Sequence, residues 1–107
     1  MDHARTFIPR TTGGWDGVEA REYKRDGDFD GVTRHTIVTG ATMQLRHFEV
    51  APGGYSSLER HEHEHYVVIS HGRGTVIVGT EVYAAHEGDA VYVPANTAHQ
   101  FINDAQA

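Results

Sequence analysis

From Val32 onward no stretch shows apolar residues recurring every three to four positions, so nothing there can bury one stripe of a helix. The chain offers instead a succession of short runs rich in Val, Ile, Tyr and Thr, cut apart by glycine. They are TRHTIV (33–38), MQLRHFEV (43–50), HYVVIS (65–70), TVIV (75–78), EVYA (81–84), AVYV (90–93) and HQFI (99–102). Branched and aromatic side chains suit a pleated surface, and Gly79-Thr80 between two such runs fits a tight hairpin. Short strands without covering helices can bury their apolar faces only against one another, as an antiparallel sandwich or barrel. The expected fold class is all-β.

The first 30 residues are more mixed, with a turn signal at Gly13-Gly14. The polar stretch KRDGDFDG (24–31) reads as a solvated loop. At 107 residues the chain is sized for one domain. Its formal charge of −6 argues against nucleic acid or an anionic membrane as partner. It has no cysteine, which excludes disulfides, thiolate catalysis and sulfur-ligated metals. No apolar run reaches the roughly 20 residues of a membrane span. The N-terminus, MDHARTFIPR, lacks a signal-peptide core, so the expected location is cytoplasmic.

Histidine is the unusual component: there are 9, and those at 61, 63, 65, 71, 86 and 99 crowd into the C-terminal half. In LERHEHEHYVVISHG (58–72), His61, His63 and His65 alternate, with Glu59 two residues earlier. On a strand, alternate residues share a face, so this could be a metal-binding set or only a polar stripe. A second segment bears on the choice. GDAVYVPANTAHQFIN (88–103) places His99 after a Pro-Ala-Asn-Thr-Ala turn and just before an apolar strand.

Together the two segments resemble the two motifs of the cupin superfamily. The second motif runs Gly88, Pro94, Asn96, His99, Asn103, with its spacing intact. Asn96 replaces the usual glycine, a tolerable change because Asn also accepts left-handed backbone angles. The first motif runs Gly53, Glu59, His61, His65, Gly72, also at the family's spacing. Here Glu59 stands where the family has its first His, and His65 where it has its Glu. The resemblance implies an antiparallel jelly-roll β-barrel with a metal inside. Residues 32–107 would form the barrel core carrying both motifs, and residues 1–31 an N-terminal strand and loop region packed on it. The implied ligands are Glu59, His61, His65 and His99, with His63 at a position the family does not use and therefore a backup.

Three imidazoles and one carboxylate suit a divalent transition metal (Fe, Mn, Co, Ni, Cu or Zn) better than Ca or Mg. An octahedral ion so held keeps two adjacent openings, enough for a bidentate substrate or for a substrate atom plus dioxygen. The expectation is a metal-dependent oxidoreductase, a dioxygenase acting on a small organic molecule, with its proton-moving residue unidentified. Non-redox isomerase or lyase chemistry and a non-catalytic small-molecule-binding barrel are the alternatives, since the superfamily spans dioxygenases, isomerases, decarboxylases, lyases, sugar-binding domains and storage proteins. Tyr55, Tyr66, Tyr83, Tyr92 and Gln100 are candidates to surround the ligands, although such tyrosines usually pack in or on a barrel wall. Only eight residues follow His99, fewer than the family's chains carry there. The edge so left open is a pairing surface, hence the expectation of a homodimer, with exchange of the N-terminal strand as one way of forming it.

Overall fold

The computed structural model describes residues 5–24 and 26–104. Ten strands follow one another with no helix among the described residues: β1 (Arg10–Thr11), β2 (Gly14–Trp15), β3 (Ala20–Glu22), β4 (Asp30–Thr39), β5 (Gln44–Tyr55), β6 (His65–Val68), β7 (Arg73–Val78), β8 (Glu81–His86), β9 (Ala90–Val93) and β10 (His99–Ile102). All seven runs expected from the sequence are strands, and the recorded pairings are antiparallel. The all-β class is therefore as expected. Contacts group the described residues into two units, one from 5–24 and 32–49, the other from 26–31 and 50–104.

In the first unit β1 and β2 form a small hairpin whose turn uses Gly13 at φ 78°, a left-handed angle that glycine adopts freely. The strand order beyond it is β3-β4-β5. Val32 and His35 are the buried residues of β4. His35 meets the edge of Trp15 at 5.7 Å, while Trp15 also touches His47 at 4.9 Å and carries Arg10 over its ring.

The second unit holds two sheets. In one, the end of β5 pairs with β10, β10 with β7, and β7 with β8. In the other, β6 pairs with β9 in the register His65↔Val93, Tyr66↔Tyr92, Val67↔Val91. Val76, Ala85 and Val93 are its buried apolar residues. Gly79-Thr80 is the two-residue turn between β7 and β8, with Gly79 at φ 62° and Val78 paired to Glu81, as a tight hairpin requires.

Of the seven strands five differ from expectation in length, β6, β7 and β8 by two residues each and β4 and β5 by more. Asp30 and Gly31, placed by sequence in the solvated loop, belong to β4. Gly31 adopts φ 67°, and a Cβ there would sit 3.1 Å from that of Ala51, so an ordinary residue would have been turned away. At the other end β5 continues through Gly53 and Gly54 to Tyr55 instead of stopping at Val50.

Candidate metal centre

The chain is brought to the site by two backbone clamps within the second unit. Past Tyr55 it stays beside β10: Ser56 N–H donates to the Phe101 carbonyl at 2.8 Å, and the buried Ser56 hydroxyl accepts from Phe101 N–H at 2.9 Å. Glu59 and His99 then exchange both backbone hydrogen bonds, at 2.9 and 2.8 Å, as an isolated antiparallel bridge. The second clamp comes from the turn before β10. Asn96 takes φ 58°, the left-handed angle that its replacement of glycine suggested, and its N–H donates to the His61 carbonyl at 2.6 Å. A glutamate and two histidines some 40 residues apart in sequence are thus held together by main-chain bonds alone.

The side chains converge accordingly. His61, His65 and His99 each present a ring nitrogen, and these three atoms lie within 4.8 Å of one another. The rings stand 5.0–5.3 Å apart between centroids and are mutually tilted, as imidazoles facing a common point would be. His99 is buried, with 7% exposure. Its Nδ1 lies 3.0 Å from the Thr97 carbonyl. A carbonyl can only accept, so Nδ1 carries the hydrogen and the Nε2 lone pair remains for a metal.

Glu59 stands beside this trio: Oε1 is 3.4 Å from His61 Nε2, and Oε2 accepts a 2.5 Å hydrogen bond from the Ser57 hydroxyl. His63 is exposed, stacked on His61 at 5.2 Å with the rings nearly parallel, and is not one of the three converging nitrogens. Donors at the usual distance of about 2.0–2.2 Å from a shared ion are about 3–4 Å apart, so small ring rotations would suffice to seat one. With a divalent ion and ionised Glu59 the local charge would be about +1.

Of the other candidates, none faces this cluster through a recorded contact. Tyr55 donates to Asp28 Oδ1, and Gln100 to the Ser56 carbonyl. Tyr83 lies half-exposed on β8. Tyr66 and Tyr92 are cross-strand partners on the outer face of β6–β9, and both donate to the Glu64 carboxylate, at 2.8 and 2.5 Å. Those two bonds, Tyr92's first, hold the Glu64 carboxyl below the usual carboxylate range and raise both phenols. His71 and His86 are exposed. Ser57 and Thr97, which engage Glu59 and His99, carried no signal in the sequence beyond standing two residues from them.

A sequence profile described as "Cupin domain" matches residues 46–107. The chain is 46% identical over 91 residues to the 1-methylthio-D-xylulose 5-phosphate methylsulfurylase of Rhodospirillum rubrum, covering 81% of this chain but only 58% of that protein. It spans 16% of an AlgA alginate biosynthesis protein from Pseudomonas fluorescens, at 31% identity. Among solved structures, a cupin 2 conserved barrel domain protein from Rhodopseudomonas palustris superposes with a TM-score of 0.80 at 38% identity, covering 92% of this chain and 72% of that one. A cupin-2 domain protein from Rhodospirillum rubrum gives 0.79 at 42% identity, covering 95% and 72%. The fold thus has counterparts among solved cupin-2 proteins, and the chain belongs to the cupin family.

Proposed function

We propose that this chain is a metal-dependent enzyme in which Glu59, His61, His65 and His99 hold one divalent transition metal, and that its substrate is a small phosphorylated keto sugar bearing a methylthio group. The convergence of three imidazole nitrogens within 4.8 Å, with His99 fixed in the ligating tautomer by Thr97, carries the metal-centre part of this reading. The substrate class rests on the 46% identity to the Rhodospirillum rubrum methylsulfurylase.

A bound divalent ion supplies Lewis-acid polarisation of a substrate carbonyl or hydroxyl oxygen. The chain's own groups do the rest. Glu59, steadied by Ser57, offsets part of the positive charge, and His99 keeps its orientation because its second nitrogen is engaged. His63, exposed beside His61 and His65 and outside the convergence, is the imidazole offered for proton transfer to and from the substrate. With no cysteine in the sequence, the acceptor of the methylthio group is a small thiol from solution: its thiolate attacks the methylthio sulfur, the carbon–sulfur bond breaks with its electron pair left on carbon as an enolate, and a proton delivered to that carbon completes the step.

A second reading, favoured by the three-imidazole, one-carboxylate donor set, is the dioxygenase expected from the sequence. One experiment separates the two. Protein loaded in turn with Mn, Fe, Ni or Zn is given 1-methylthio-D-xylulose 5-phosphate together with a small-molecule thiol as acceptor, under argon and in air, following the substrate by phosphorus NMR and oxygen by electrode. Turnover under argon supports the first reading. Oxygen uptake matched to substrate loss, seen only in air with a redox-active metal, supports the second. No turnover under either atmosphere with any metal overturns both and leaves a barrel that binds without catalysis.

A further inference from the structure

The register of β3 and β4, in the first unit, sets Arg21 directly opposite Arg34. Side chains so paired have Cβ atoms about 4.5–5.5 Å apart, and like charges at that distance destabilise a sheet unless something negative sits between them. One of the two has such a partner: Arg21 Nη2 donates to Glu19 Oε2 at 2.9 Å, an exposed pair. Arg34 has none among the described residues. Its Nε is shielded from solvent and makes no hydrogen bond, although a buried donor is normally satisfied.

Both arginines line a cavity of about 330 Å³ together with Gly17, Val18, Glu19 and Thr36. Thr36 lies two residues beyond Arg34 on β4, hence on the same face. The loop that walls the cavity is fixed. Val18 N–H donates to the Trp15 carbonyl at 3.1 Å, and Arg5 holds Asp16 by its carbonyl at 2.7 Å and its carboxylate at 3.0 Å. Gly17 takes φ 73° there, where a Cβ would come within 2.8 Å of Arg5 Nη1.

We propose that Arg21, Arg34 and Thr36 form a binding site for a phosphate group, free or esterified. Paired guanidinium forks match a tetrahedral oxyanion, which has enough acceptor oxygens to engage both at once and a hydroxyl donor besides. The anion relieves the repulsion across the register, and a turn of the Arg34 side chain towards it brings the shielded Nε into reach as a further donor. The volume lies at the lower end of small-molecule cavities and so leaves room for a short attached carbon chain. Glu19 is the competitor: its carboxylate occupies Arg21 and must swing aside, which keeps the affinity modest. The proposal stands apart from the reading of the metal centre.

The test is titration calorimetry of the metal-loaded protein in phosphate-free buffer with inorganic phosphate, against chloride at equal ionic strength. Loss of a charge-assisted bond costs about 10- to 100-fold in affinity, so R34Q should lose binding by at least that factor and R21Q by less. E19Q should bind several-fold more tightly than the natural chain. If R34Q proves unfolded by circular dichroism, E19Q carries the test alone. A silent titration with the natural chain, or E19Q no tighter than it, overturns the proposal, as does a folded R34Q that binds normally. A pentulose 5-phosphate binding more tightly than inorganic phosphate, with the unphosphorylated sugar silent, assigns the site to a phosphorylated ligand. Equal binding of the two phosphates assigns it to the free ion, and both outcomes bear out the site.

Discussion

Truncating His99 to alanine tests the proposed metal centre most directly. The backbone N–H and carbonyl that bridge residue 99 to Glu59 survive the change, so Glu59 keeps its place and only the imidazole is lost. Structural zinc sites bind with about 10–16 kcal/mol across four ligands, or about 2.5–4 kcal/mol per ligand. At 1.4 kcal/mol per factor of ten, H99A should weaken metal binding about 10²- to 10³-fold, and H61A should do the same. H63A should change it by less than about threefold, because that ring stacks outside the convergence. S57A removes only the hydroxyl that orients Glu59 and should cost about 10- to 100-fold, the usual effect of losing a group behind a ligand.

The assay is competition against a chromophoric chelator at pH 7.5, with metal content confirmed by elemental analysis. H99A also leaves the Thr97 carbonyl without its donor and opens space at a buried position. Its metal-free form should therefore be less stable by about 1–3 kcal/mol, and circular dichroism must show it folded at the assay temperature. The reasoning fails if H99A and H61A bind within threefold of the natural chain. It fails differently if H63A costs as much as H61A, for then the first segment contributes another nitrogen than the one assigned here.

Other consequences are as specific. Gly74→Ala would push a Cβ to within 3 Å of the Ile102 carbonyl, so β7 and β10 must part; a loss of about 3 kcal/mol or a Tm lower by about 12–24 °C is expected by thermal melting, and an unchanged Tm would show that the strands yield. Asn96→Gly should be nearly neutral, whereas Asn96→Val, forced into a left-handed angle, should lower stability by about 1–3 kcal/mol in urea. Burial holds the His47 imidazole below its ordinary pKa, with His35 and Arg10 adding to the effect and Glu49 opposing it, so the unfolded chain binds that proton more readily. Stability should accordingly decline as pH falls below about 6.5 towards the lowered folded value, and His47→Gln should flatten that decline in urea midpoints measured from pH 8 to 5. Sedimentation at micromolar concentration should give a homodimer, with the exposed Tyr66, Val68 and Tyr92 of the β6–β9 face as its apolar patch; monomer alone would refute this.

What could be read beforehand, and what could not, divides along a physical line. Strands from Val32 onward announce themselves because glycine punctuation and branched residues are local signals, whereas two-residue strands such as β1 and β2 are too short for any period. The alternation of His61, His63 and His65 is a local signal too, and it misleads. A shared face requires an extended strand, but residues 61–64 are irregular and β6 begins only at His65. His63 is therefore released from the face that alternation would assign it. The two-motif spacing groups 59, 61, 65 and 99 because it encodes a long-range pairing, the Glu59–His99 bridge, that no window of neighbouring residues contains. The same limit hid Arg34. An arginine among polar neighbours on a strand is unremarkable until the register is known, and only then does Arg21 stand opposite it and its Nε become a donor with nothing to donate to. Charges that face each other across a ladder are a property of pairing, so a site built from them becomes visible only once the strands are paired.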